Sequence, residues 1–279
     1  MVFFLNGLSA IALLILASSG LDLILGFMGV INLAHPGLIA LGGYGALVAA
    51  RYLPVWPSML LGACLAAAVG ALIEWTVVRR LYRRPLDTIL ATWGIALAIW
   101  QSLILIFGRV AYPFDGPVSG FVTVAGFEYS AYRLLLIGIA VLLVLALGVV
   151  SRYTRAGLIA RAVMTNNDLA AGMGLNTRLA QCWMFALGAF MAGAAGALMA
   201  PLAPIQPFMG MSYLIPAFLV VLLAGKTVPG LVLASVLIAG GQTAVSLFVD
   251  PIVASVSVVL LAVLILRFFP AGFDRLWGA

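Results

Sequence analysis

"LNGLSAIALLILASSGLDLILGFMGVINLAHPGLIALGGYGALVAA", residues Leu5 to Ala50, decides the fold. Its first part belongs to an apolar run from about Phe3 to Phe27. As an α-helix, such a run is long enough to cross the hydrocarbon core, which takes about 20 residues. Apolar and polar residues do not alternate in it, and an open sheet edge cannot face lipid, so a strand is excluded. The run then breaks. Pro36 has no backbone N–H to donate and disfavours helical backbone at His35. The spacing predicts a discontinuous helix near 26–36, with regular helix resuming at about Pro36 and ending near Ala50.

The rest of the chain repeats the pattern. It has 279 residues, 65% hydrophobic and 8% charged, where a soluble domain carries about 25% charged residues. Mean hydropathy is +1.25. Further runs cover Pro57–Val78, Ile89–Phe107, Tyr132–Val150, Cys182–Ala200, a short Tyr213–Ala224, Gly230–Phe248 and Ile252–Phe269. The expectation is an all-α, polytopic membrane helical bundle of about 8–9 spans, forming a single domain over residues 1–279. The opening residues lack the basic n-region of a cleaved signal peptide.

The net charge of +6 does not indicate nucleic-acid binding, because the arginines sit in short loops between apolar runs. "RRLYRRP" carries Arg79, Arg80, Arg83 and Arg84, and the polar stretch 151–181 carries Arg152, Arg155, Arg161 and Arg178. Lys226 and Arg275 lie in two further loops. Nine crossings, counting the short run, put all of these on the cytoplasmic side, with the N-terminus outside and the C-terminus inside. The external side then receives a loop at about 108–131, with Asp115 and Glu128. Within that loop, Phe121 to Tyr129 is β-prone and punctuated by glycine, which suits a small hairpin.

The stretch 151–181 reads as two helical pieces in a polar loop. Asn166 suits an N-cap, Asp168 suits the first turn, and Gly174 suits a left-handed stop. Between them Leu169, Ala170 and Met173 fall on one face of about two turns. A helix that short is unstable alone in water, so its apolar face needs a surface to pack on. That surface is either the protein's own helix ends or a partner protein.

Four motifs carry a family resemblance. Gly157, Arg161 and Ala162, followed by Ala170, Gly174, Leu175 and Asn176, resemble the cytoplasmic coupling loop of bacterial ABC importer permeases. "GVINLAHPGLIALGGYGA" supplies Gly29, Asn32, Ala34, His35, Gly42 and Tyr44, and is similar to a motif of the branched-chain amino acid permeases of the LivH/LivM type. "PAFLVVLLAG" and the closing "RFFPAGFDR" resemble two further family segments, in the same order. The sequence departs from the family at Pro36, where a glycine is usual, and at Thr165, where an acid is common.

The resemblance implies a permease subunit of an ATP-binding cassette importer in the bacterial inner membrane. Implied partners are a second permease subunit, two cytoplasmic ATPase subunits and a periplasmic solute-binding protein. No cofactor is implied, and ATP would be hydrolysed by the partners. Implied coupling residues are Gly157, Arg161, Ala162, Asn166, Asp168, Leu169, Ala170, Met173 and Gly174. Asn32, His35, Pro36 and Tyr44 are candidates for the translocation path. The implied solute is a branched-chain or other aliphatic amino acid, with urea, short amides and aromatic acids as family alternatives.

Other residues have plainer readings. Cys64 and Cys182 sit in apolar runs and read as small core residues. His35, the only histidine, is either a cap for the helix starting at Pro36 or part of a broken helix facing the path. Glu74 is placed to pair with Arg79. Asp22 could serve a proton-coupled secondary transporter, which would need more such acids; a passive channel for small polar solutes is a third class. "GKT" at Gly225–Thr227 lacks the earlier glycine of a P-loop, since Val220 stands there.

Overall fold

The computed structural model describes residues 2–82, 84–124, 126–225, 227–268 and 273. The chain is helical almost throughout. In order, the helices are α1 (Val2–Met28), α2 (His35–Ala49), α3 (Val55–Thr76), α4 (Pro85–Phe107), α5 (Ala131–Tyr153), α6 (Arg155–Thr165), α7 (Asn167–Gly172) and α8 (Thr177–Met199). Then come α9 (Leu214–Ala224), α10 (Val228–Ser235), α11 (Gly241–Val245) and α12 (Pro251–Phe268). A five-residue π-helix, Val236–Gly240, joins α10 to α11.

Among the described residues, six helical stretches are long and apolar enough to cross a membrane: Val2–Gly26, Val55–Arg80, Pro85–Phe107, Ala131–Tyr153, Thr177–Met199 and Val228–Val245. That is fewer than the 8–9 expected from hydropathy. The difference lies in α2, with 15 residues, α9, with 11, and the described part of α12. Each is apolar but shorter than a full crossing helix.

The expected break is present. α1 stops at Met28, Gly29 turns the chain with φ 64°, and helix resumes at His35. The positive φ suits glycine, which has no Cβ to clash. Residues 29–34 are non-helical, and two of their backbone N–H groups find side-chain acceptors. The Leu33 N–H donates to Thr92 Oγ1 at 3.1 Å, and the Ala34 N–H to Asn32 Oδ1 at 3.0 Å.

Helix α8 occupies the centre and packs on α1, α2 and α3. Small residues make this possible. A Cβ on Gly188 would strike Ile24 of α1, one on Gly193 would strike Ala66 of α3, and one on Gly196 would strike the Ile39 carbonyl of α2. Lipid offers no hydrophobic drive for helices to associate, so close backbone approach supplies the packing energy instead. By contrast, α4 and α5 leave long apolar faces open, including Leu90, Leu105, Leu142 and Leu145.

The hairpin is also present. β1 (Phe121–Val124) pairs antiparallel with β2 (Phe127–Ser130), with Phe121 opposite Ser130. It is tied to the start of α1, where the Tyr129 hydroxyl donates to the Leu5 carbonyl at 2.9 Å and Arg133 donates to Asn6 Oδ1 at 3.1 Å. Near the same loop, Tyr112 and Ile205 exchange two backbone hydrogen bonds. From there the chain 200–213 runs without regular α-helix to lie against α2. Met209 sulfur sits beside Gly43, and Gly210 backs onto the Pro36 backbone.

"GKT" is not a phosphate loop. Gly225, φ 70°, ends α9, and Thr227 caps α10 by accepting from the Gly230 N–H at 3.2 Å. Lys226, Arg83, Arg275 and most of "RFFPAGFDR" lie outside the described residues.

Candidate functional site

At the end of α5 the chain turns sharply into α6. The corner is set by Thr154, whose hydroxyl accepts from the Gly157 N–H at 3.1 Å. Gly157 is there because a Cβ would run into the Val150 carbonyl and the Ser151 backbone. α6 then carries Arg161, exposed, and Ala162, half-buried.

Asn166 breaks the helix and caps the next. Its Oδ1 accepts from the Leu169 N–H at 2.9 Å, and Asp168 occupies the first turn of α7, where a negative charge suits the helix dipole. The stop falls where expected. Gly174 has φ 85°, and the Leu175 N–H returns to the Ala170 carbonyl at 3.2 Å. Asn176 then caps α8, accepting from the Leu179 N–H at 3.1 Å. The short helix α7 is therefore fixed at both ends and leads through four residues into the central helix.

The apolar face divides. Ala170 is 1% exposed and packs within the chain, whereas Leu169 is 62% exposed and Met173 65%. The protein's own helices thus take Ala170, and the two large side chains point away from it.

Next to α7 lies a polar cavity of about 450 Å³. Leu25 and Gly29 at the end of α1, Tyr82 of the arginine loop, Asn166, Asp168 and Gln181 line it. The two basic segments thus meet at one end of the molecule, as the charge pattern predicts. The arginine loop is anchored by Glu74, which is fully buried. Arg79 donates to it through Nη2 at 3.1 Å and Nε at 3.4 Å, and the Tyr82 hydroxyl donates at 2.8 Å. Burial, and after it the bond to Glu74, hold the Tyr82 phenol well above its ordinary pKa, so it stays a donor. Tyr82 and Thr92 carry contacts that the sequence reading missed. The pairing of Glu74 with Arg79 was legible from spacing alone, but the tyrosine between two arginine pairs gave no comparable signal.

The four path candidates lie elsewhere, around the start of α2. Asn32, His35, Pro36 and Tyr44 are all buried. His35 does not cap its own helix. Its Nε2 donates to the Ala17 carbonyl of α1 at 2.7 Å, with the ring against Gly20. Tyr44 stacks near Phe107, ring centroids 4.6 Å apart. None of the four lines the polar cavity beside α7.

Comparison with known proteins fits this arrangement. A family described as the permease component of the branched-chain amino acid transport system matches residues 3–268. The LivH high-affinity branched-chain amino acid transport system permease protein of Escherichia coli K12 is 24% identical over 285 residues, 96% of this chain and 92% of the relative. The LivH protein of Salmonella typhimurium LT2 is 25% identical over 287 residues, with the same coverage. No solved structure matches the chain. With the match running from the start of α1 to the end of α12, the chain belongs to the branched-chain amino acid transport system permease family.

Proposed function

We infer that this chain is the transmembrane subunit of an ATP-driven importer for aliphatic amino acids in a bacterial inner membrane. The observation that carries the reading is α7: a two-turn helix, capped at both ends, that buries Ala170 and presents Leu169 and Met173 outward beside the basic loops. Exposed apolar side chains on a rigid, short element suit the groove of a partner protein. The partner this implies is one of two cytoplasmic ATPase subunits. A second permease subunit and a periplasmic solute-binding protein complete the assembly.

Nine crossings follow if α12 counts as a pass and residues 29–49 and 200–224 each count as a pass made of non-helical chain plus a short helix. The coupling loop is then cytoplasmic and the hairpin external. ATP-driven movement of α7 would pass through Asn176 into α8, and from α8 into the helices it touches, exposing the path to one side and then the other. Asn32, His35, Pro36 and Tyr44 would enter the path only when α1 and α2 part. A proton-coupled mechanism is less well supported, because Glu74 is taken up by Arg79 and Tyr82 and Asp22 is also engaged.

The test is uptake by the assembled complex in proteoliposomes with the binding protein. Leucine, isoleucine and valine should be carried in an ATP-dependent way, and Leu169→Asp should abolish this and loosen the ATPase subunits. Uptake of urea or aromatic acids instead would replace the solute. ATP-independent uptake by the chain alone would overturn the reading.

A further inference from the structure

The larger cavity has a volume of about 810 Å³, within the ~300–1,000 Å³ range of small-molecule sites. It lies between α1, α9, α11, α12 and the π-helix. On α1 its walls are Ala10, Leu13 and Leu14, near the end tied to the hairpin, whereas the coupling cavity begins at Leu25. The two cavities therefore sit at different depths along α1, and the larger one belongs to the end away from α7.

Its lining combines apolar walls with an uncharged polar strip: Ser212, Gln242, Thr243, Ser246 and Ser255. Such a strip does not suit lipid, which offers no hydrogen bonds. Three of the hydroxyls spend their protons on their own helices: Thr243 on the Ala239 carbonyl at 2.7 Å, Ser246 on Thr243 at 2.8 Å and Ser255 on Ile252 at 2.7 Å. Their oxygens remain as acceptors. The half-buried Gln242 side chain makes no hydrogen bond among the described residues, so its amide offers donors and an acceptor. The π-helix contributes Ile238 and Ala239 to the wall. π-turns inside helices recur at functional sites.

Resting on the importer reading above, we propose that this cavity is the outer binding site for the transported solute, and that it takes a small zwitterion of zero net charge with an aliphatic side chain. The hydroxyl oxygens suit an ammonium group, the Gln242 amide suits a carboxylate, and Leu13, Leu14 and Val258 suit the side chain. Among the described residues no charged one lines the cavity, so a solute with net charge would lose its hydration without a counter-charge from them.

Two measurements on the assembled complex test this. In a background with Cys64 and Cys182 replaced by alanine, Gln242→Cys should react with a water-soluble, membrane-impermeant thiol reagent added from the external side, and uptake should stop. Reaction only with a membrane-soluble reagent, or cross-linking to the second permease subunit, overturns the proposal: the groove is then filled by lipid or by a helix. In the second, Gln242→Leu should lower leucine uptake by about tenfold and Gln242→Asn by no more than about threefold, the scale of a lost hydrogen bond. ATPase retention should not change in either, because α7 is distant. Unchanged uptake in Gln242→Leu, or lysine and glutamate carried as readily as leucine, overturns the site or its solute class. Water-accessible Gln242→Cys in a chain that transports without ATPase partners would instead sink the importer reading and leave the cavity standing.

Discussion

Glu74 shows how one residue can hold a loop in place. It is buried at the end of a membrane helix and accepts from Arg79 and Tyr82, which belong to the segment just outside. Arg79→Ala should lower the thermal midpoint of the detergent-purified protein more than Glu74→Gln does. The first change leaves a buried carboxylate without its counter-charge, whereas the second removes the charge itself. The double variant should recover part of the loss. Melting followed by size-exclusion chromatography gives the order of midpoints, and Glu74→Gln as the less stable single variant would refute this account. The ion pair was legible because five residues of separation near a helix end bring two side chains together. His35 was not. Its partner, the Ala17 carbonyl, is 18 residues away and reaches it only because the chain doubles back after Gly29.

At the scale of elements, α7 makes three different predictions. Leu169→Asp and Met173→Asp should insert and purify normally, yet lose ATPase subunits, since each places a charge on an exposed contact face. Ala170→Glu should instead reduce the yield of folded protein, because Ala170 is packed inside the chain and an unpaired buried carboxylate costs several kcal/mol. Asn166→Ala should cost about 1 kcal/mol of local helix stability through loss of its cap, and coupling should weaken without release of the ATPases. ATPase co-purification, monodispersity and uptake separate the three cases. An Ala170→Glu protein that folds as well as Leu169→Asp would contradict the packing seen here. The caps at Asn166 and Asn176 and the stop at Gly174 were readable, since local side chain to backbone bonds are written in adjacent residues. The inward turn of Ala170 was not, because it depends on which way the whole loop rests on the bundle. Hydropathy likewise placed the start of α8 at Cys182, five residues late, because the first turns of the helix are polar.

For the whole molecule, sidedness is the decisive test. A thiol at Leu169→Cys should resist an impermeant reagent in intact cells, and one at Glu128→Cys in the hairpin should react once the reagent reaches the periplasm. The reverse pattern would invert the topology. Composition and arginine placement made the membrane bundle legible, but not its centre. α8 looks like any other apolar run, and the glycines that let three helices touch it have a meaning only once their partners are known. Those partners are distant in the chain: Gly20 meets Gly188, and Gly42 meets Gly193. A ribosome makes α1, α2 and α3 long before α8 exists. At about 5–20 residues per second, the roughly 100 residues between the end of α3 and the start of α8 take about 5–20 s. During that time three helices wait in the bilayer with their close-packing grooves unfilled. The central helix thus acts as a late keystone, and the nascent chain is most open to membrane proteases and insertion chaperones just before α8 emerges.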